Sequence, residues 1–111
     1  LSKRNPFTHT ERRLIVGELE LHLDTMQVKR SGHLLSLTAK ELAVLELLMS
    51  SPQKVFSRER ILATVWGINE DPLTNVVDVY IRRLRKKVDA PFNQNYIKTL
   101  RGIGYCLSAE V

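Results

Sequence analysis

The sequence predicts an α+β fold, with a small antiparallel sheet first, then three helices, then a closing β-hairpin. Three observations predict it. Residues 16–37 alternate apolar and polar side chains across two turn signals, and residues 38–88 hold three apolar runs at helical spacing. Residues 96–108 form two short strand-like runs around a turn that carries Arg101, Gly102 and Gly104. The third helix is also basic, with Arg82, Arg83, Arg85, Lys86 and Lys87 inside six positions. A basic helix followed by a basic hairpin is the layout of a winged helix-turn-helix.

In residues 16–23, Leu19, Leu21 and Leu23 alternate with Glu18, Glu20 and His22, the period of a strand with one buried face. Asp24 and Thr25 turn the chain, Met26 and Val28 continue the alternation, Ser31-Gly32 turns it again, and Leu35 and Leu37 follow in phase. Thr38 and Glu41 fit a capping box for a helix with Leu42, Leu45, Leu48 and Met49 on one side, ending near Ser51 before Pro52. Ser57 starts a second helix, with Glu59 in its first turn, Ile61, Leu62, Val65 and Trp66 on its apolar side, and Gly67 as its stop. Residues 68–74 hold Asn69, Glu70, Asp71 and Pro72 and read as an exposed acidic loop. In the third helix, residues 75–88, Val77, Ile81, Leu84 and Val88 share one face, while Asn75, Asp78, Val79, Arg82, Arg83 and Lys86 point away.

A chain of 111 residues, 43% of them hydrophobic, suits one compact domain. The division expected is a linker end at residues 1–13 and a domain at 14–111. The net charge is +5, and its distribution is informative. Residues 75–105 carry seven Lys/Arg (Arg82, Arg83, Arg85, Lys86, Lys87, Lys98, Arg101) against Asp78 and Asp89, which accounts for the whole excess. That asymmetry points to an anionic partner. The single cysteine, Cys106, predicts no internal disulfide and a reducing cytoplasm. No apolar run is long enough for a membrane span, and the first ten residues lack the apolar centre of a signal peptide. His9, His22, His33 and Cys106 are not at ligand spacing, so no metal is expected. No Ser/His/acid set, phosphate loop or carboxylate pair suggests catalysis, and no cofactor is implied.

Four blocks together resemble the DNA-binding effector domain of OmpR/PhoB-type response regulators. They are Leu37-Thr38-x-x-Glu41-x-x-x-Leu45, Ser57-Arg58-x-x-Ile61-Leu62-x-x-Val65-Trp66-Gly67, the run from Val77 to Lys87, and Ile97-x-Thr99-x-Arg101-Gly102-x-Gly104-Tyr105. The resemblance covers residues 15–108. It implies a bacterial transcription factor of a two-component system, in which a receiver domain phosphorylated by a sensor kinase precedes this domain. It also implies a recognition helix at residues 75–88, with Asp78, Val79, Arg82 and Arg83 facing base edges or nearby phosphates and Arg85 and Lys86 flanking the DNA backbone. Thr99 and Arg101 match wing positions, Trp66 matches a backbone-contacting residue, and residues 68–74 match the segment that meets RNA polymerase. The family often has arginine where this chain has Asn75. Within the family, Trp66-Gly67-Ile68-Asn69 and Asp89-Ala90-Pro91-Phe92 resemble the branch that answers heavy metals or oxidative stress.

The chemistry agrees with that carry-over. An arginine fork donates two hydrogen bonds to guanine O6 and N7, which makes Arg82 and Arg83 the candidate base readers. Asp78 either accepts from a cytosine amine or orients a neighbouring arginine, and orientation is favoured because a bare carboxylate repels phosphate. Arg101, on a wing turn at residues 100–105, suits a narrow minor groove. Lys86, Lys87 and Lys98 read as phosphate contacts or solvated charges, and Trp66 as part core with its indole N–H available to a phosphate. The competing function is a winged-helix module docking an acidic protein; the arginine pair and the basic wing favour DNA, since Tyr80 alone supplies an aromatic on the helix. RNA is disfavoured for want of an aromatic platform.

Overall fold

The computed structural model describes residues 12–67 and 75–109. Four strands open the chain, β1 (Arg13–Val16), β2 (Leu19–His22), β3 (Gln27–Arg30) and β4 (His33–Leu35), in a sheet of order β1-β2-β3-β4, every neighbour antiparallel. The first strand therefore begins at Arg13, the last residue of the expected linker. Two details of the expected meander are corrected. Residues 16–23 are not one strand: the chain reverses at Gly17 and Glu18, where Gly17 adopts φ +59° and a Cβ would stand 2.5 Å from Tyr96 Oη. Met26 does not continue an alternation but sits at φ +54° in the turn before β3, 43% exposed. Leu14, Val16, Leu19, Leu21 and Val28 line the inner face, and Ile15 and Leu34 face outward.

Helix α1 (Ala39–Ser50) starts on the expected capping box, with Thr38 Oγ1 accepting from the Glu41 amide at 3.3 Å and Glu41 Oε1 from the Thr38 amide at 2.9 Å. It stops just before Pro52, as the restriction on a pre-proline residue requires. In α2 (Arg58–Val65), Ser57 Oγ accepts from the Arg60 amide at 3.0 Å, and Gly67, at φ +81°, lies just past the end. Helix α3 (Val76–Val88) buries Val77, Ile81, Leu84 and Val88, the four residues its periodicity selects. Asn75 occupies the position before the helix without a side-chain cap.

A 3-10 turn (Ala90–Phe92) leads to the hairpin β5 (Ile97–Leu100) and β6 (Gly104–Leu107). Phe56, ahead of α2, joins this hairpin as a third partner: its amide donates to Tyr105 O at 2.8 Å and its carbonyl accepts from the Tyr105 amide at 2.9 Å. One core runs from the inner face of the sheet through the three helices to Tyr96, Ile97, Tyr105 and Leu107. The loop expected at residues 68–74 lies outside the described residues.

Candidate nucleic-acid interface

The packing of Val77, Ile81, Leu84 and Val88 into the core fixes which side of α3 meets solvent. Arg82, Arg83, Lys86 and Asn75 are exposed there, and Val79 and Asp78 are partly covered. The Arg83 guanidinium lies 5.0 Å from the Tyr80 ring, and that ring meets Trp66 edge-on at 5.2 Å. Tyr80 is thus engaged within the fold, which leaves no free aromatic anchor for a protein partner on the described part of this face. Beside α3 the wing turns between Leu100 and Ile103, with the Ile103 amide donating to Leu100 O at 2.9 Å and Gly102 at φ +74°. This turn holds Arg101 exposed at the tip.

Four other residues chosen from sequence are held by neighbours within the protein. Asp78 Oδ1 accepts from Arg58 Nε at 2.8 Å and from the Tyr105 hydroxyl, so Asp78 orients an arginine, but one from α2. Burial pushes the Asp78 carboxyl up, yet the hydrogen bonds from Tyr105 and Arg58 bring it net below its ordinary value. The same cluster raises Tyr105, first by burial and then by Asp78, and raises Arg58 through its bond to Asp78. Arg85 donates from Nε and Nη2 to Ile97 O at 3.2 and 3.0 Å and from Nη2 to Thr99 Oγ1. Arg85 and Thr99 therefore tie α3 to the wing. Trp66 is 8% exposed, largely core, with Lys40 Nζ 5.4 Å from its ring.

Lys87 and Lys98 are also held by acceptors within the fold: Lys87 Nζ pairs with Glu41 Oε1 at 2.8 Å, and Lys98 Nζ donates to Asn95 O at 2.8 Å and Ser108 O at 3.2 Å. The outward charge of the basic stretch is therefore Arg82, Arg83, Lys86 and Arg101. Sequence reasoning missed Arg58, whose signal was its place in the first turn of α2, and Arg30. Arg30 is in phase with the inward Val28, so an arginine on an apolar face was the sign. Among the described residues no group of three His, Cys, Asp or Glu could hold a metal ion.

The Glu41 carboxyl is pushed up by burial, but the hydrogen bonds from Lys87 and Thr38 set it net below its ordinary value, as for Asp78. Carboxylates depressed in the fold give stability that is complete above their unfolded pKa and lost as pH falls through the folded one. The urea midpoint is therefore expected to fall below about pH 4, with a shallower fall in Glu41→Gln. An unchanged acid profile in that variant would exclude the pair as a cause.

Residues 32–107 match the family model described as "Transcriptional regulatory protein, C terminal". The chain belongs to this family. It is 37% identical over 107 residues to the transcriptional regulatory protein CusR of Escherichia coli K12, covering 96% of this chain and 47% of CusR. It is 42% identical over 94 residues to the uncharacterized transcriptional regulatory protein YkoG of Bacillus subtilis, covering 85% of this chain and 41% of YkoG. The chain thus spans less than half the length of these curated relatives. Among solved structures, the DNA-binding domain of E. coli CpxR superposes with a TM-score of 0.76 at 33% identity, covering 89% of this chain and 99% of that one. The Klebsiella pneumoniae RstA DNA-binding domain, solved in complex with the RstA box, gives 0.78 at 28% identity, covering 89% and 99%. Family and fold make this a winged-helix DNA-binding domain of a transcription regulator of the OmpR/PhoB type, and not an enzyme.

Proposed function

We propose that this domain reads a specific double-stranded DNA sequence, with α3 in the major groove and the turn at residues 100–105 in the adjacent minor groove. The supporting observation is the exposure of Arg82, Arg83 and Lys86 on α3 and of Arg101 at the wing tip, while the other cations of the stretch are held by acceptors in the fold. Arg82 and Arg83 are the base readers, helped by Val79, and Lys86 and Asn75 meet the backbone. Asp78, Arg85 and Thr99 act mainly by fixing the frame around them. Trp66, with its apolar body in the core, serves a phosphate only through the edge of its indole.

The wider reading follows the family. The domain is the effector of a cytoplasmic two-component regulator, preceded by a receiver domain that a sensor kinase phosphorylates, and residues 68–74 are the segment that meets RNA polymerase. The isolated domain is a monomer that occupies two direct-repeat half-sites head to tail, because one short helix reads few bases alone. Sedimentation of the free protein and footprinting on a long duplex test this; a stable free dimer, or protection of an inverted repeat only, would reject it.

Selection from a random duplex pool gives the operator. Titration of that operator at several salt concentrations then separates DNA from an acidic protein or RNA as partner. Affinity is expected to fall steeply with salt, and Lys86→Ala is expected to flatten the log-log slope by about one for operator and random duplex alike. An affinity for duplex that ignores salt, or a tighter hold on single-stranded RNA, would overturn the proposal.

A further inference from the structure

Arg30 heads the largest side chains that are fully buried in the described residues, and no charge logic of the DNA-facing surface calls for it. It enters the core from β3. One arm of its guanidinium donates to Val88 O at 3.0 Å, the carbonyl that ends α3, and the other to Gln94 Oε1 in the connection to the wing. Its Cζ lies 3.8 Å from the centre of the ring of Tyr96, immediately before β5, and 5.0 Å from that of Phe92. Tyr96 Oη in turn accepts from the Glu18 amide at 3.3 Å.

The partners are incomplete for a buried cation. Arg30 Nε has no hydrogen-bond partner among the described residues, and the nearest carboxylate oxygen, Asp89 Oδ1, is 3.8 Å from Nη1. Asp89 is already engaged by the Tyr96 and Ile97 amides at 2.9 and 3.1 Å. A guanidinium so placed is a poor source of net stability beside an apolar side chain of similar volume. What a rigid planar fork supplies is direction.

We propose that Arg30 is a positioning residue for DNA recognition, which fixes from the N-terminal sheet the angle between α3 and the wing. Asp78 with Tyr105 joins the two near the start of α3, Arg85 with Ile97 joins them in its second half, and Arg30 holds the end of the helix and the root of β5 on one plane. Asp89, through the Tyr96 and Ile97 amides, pins the residue after α3 to the root of β5, and Arg30 adds the tie that carries both back to the N-terminal sheet. The inference rests on the groove assignments proposed above. Arg30 touches no DNA, and its effect is to let Arg83 and Arg101 engage together.

The test is a double-mutant cycle on the operator, with Arg101→Ala in the wild-type and Arg30→Met backgrounds and random duplex as reference. In the wild type, Arg101→Ala is expected to weaken operator binding about tenfold, and in Arg30→Met by about threefold or less. Amide residual dipolar couplings of α3 and of β5-β6 should fit one alignment frame in the wild type and two rotated frames in the variant, a shift that loss of stability alone does not produce. Where Arg30→Met lowers the folded fraction, Arg30→Lys takes its place, keeping the charge but unable to bridge Val88 O and Gln94 Oε1 together. An equal Arg101→Ala penalty in both backgrounds, or equal weakening of operator and random duplex by the Arg30 variant, overturns the positioning role alone. No Arg101→Ala penalty in either background overturns the minor-groove reading and this inference with it.

Discussion

Gly104→Ala is expected to destabilise the domain by about 3 kcal/mol, because the added methyl would have nowhere to go. A Cβ on Gly104 would stand 2.0 Å from Phe56 O, 2.7 Å from Phe56 C and 2.9 Å from Ser57 Cα. All three are backbone atoms, so no change of rotamer relieves the clash. The strand must separate from Phe56, which breaks the two hydrogen bonds between Phe56 and Tyr105 and displaces Ser57, the cap of α2. Arg58 follows Ser57 and carries the bond to Asp78, so the disturbance reaches α3. Gly102→Ala is the control: nothing lies within 4 Å of its missing Cβ, but φ is +74°, and the cost expected is about 1 to 2 kcal/mol. Urea unfolding of both variants decides the matter. A loss at Gly104 no larger than that at Gly102 would mean that β6 and Phe56 part without cost.

The sequence made the helices legible because their signals are local. The capping box of Thr38 and Glu41, the Ser57 cap and the spacing of Val77, Ile81, Leu84 and Val88 each lie within a few residues. The break at Gly17 is marked by a slip of phase: Leu14 and Val16 face inward from even positions and Leu19 and Leu21 from odd ones, a slip that the regular alternation of residues 18–23 does not itself carry. The exposed side of α3 was legible as a face but not side chain by side chain. Arg85, Lys87 and Lys98 have long flexible stems, and the oxygens that hold them belong mostly to other elements, as with Glu41, 46 residues from Lys87. The partnership of Asp78 with Arg58 and Tyr105 was hidden for the same reason, since it unites three elements that only the fold brings together.

Arg83→Ala and Arg101→Ala should separate the two basic elements. Arg83 is exposed on α3, with its guanidinium stacked near Tyr80 and Tyr80 backed by Trp66, so the side chain leaves the helix in a supported direction. Loss of its fork is expected to cost about 1 to 3 kcal/mol on the preferred site and to relax the choice of base at one or two positions. Arg101 lies at the tip of the turn closed by the Ile103 amide and Leu100 O, and in the proposed minor-groove placement it would meet groove width and potential instead of a unique donor pattern. Arg101→Ala should therefore weaken binding where the flank is A/T-rich and do little where it is G/C-rich. Neither residue belongs to the core, so both variants should keep the wild-type circular dichroism spectrum. One operator with its flank changed from A/T to G/C, titrated with each variant, makes the comparison. If Arg83→Ala lowered affinity equally for operator and random duplex, Arg83 would be a phosphate contact, and base readout would pass to Arg82, the other exposed arginine of the helix.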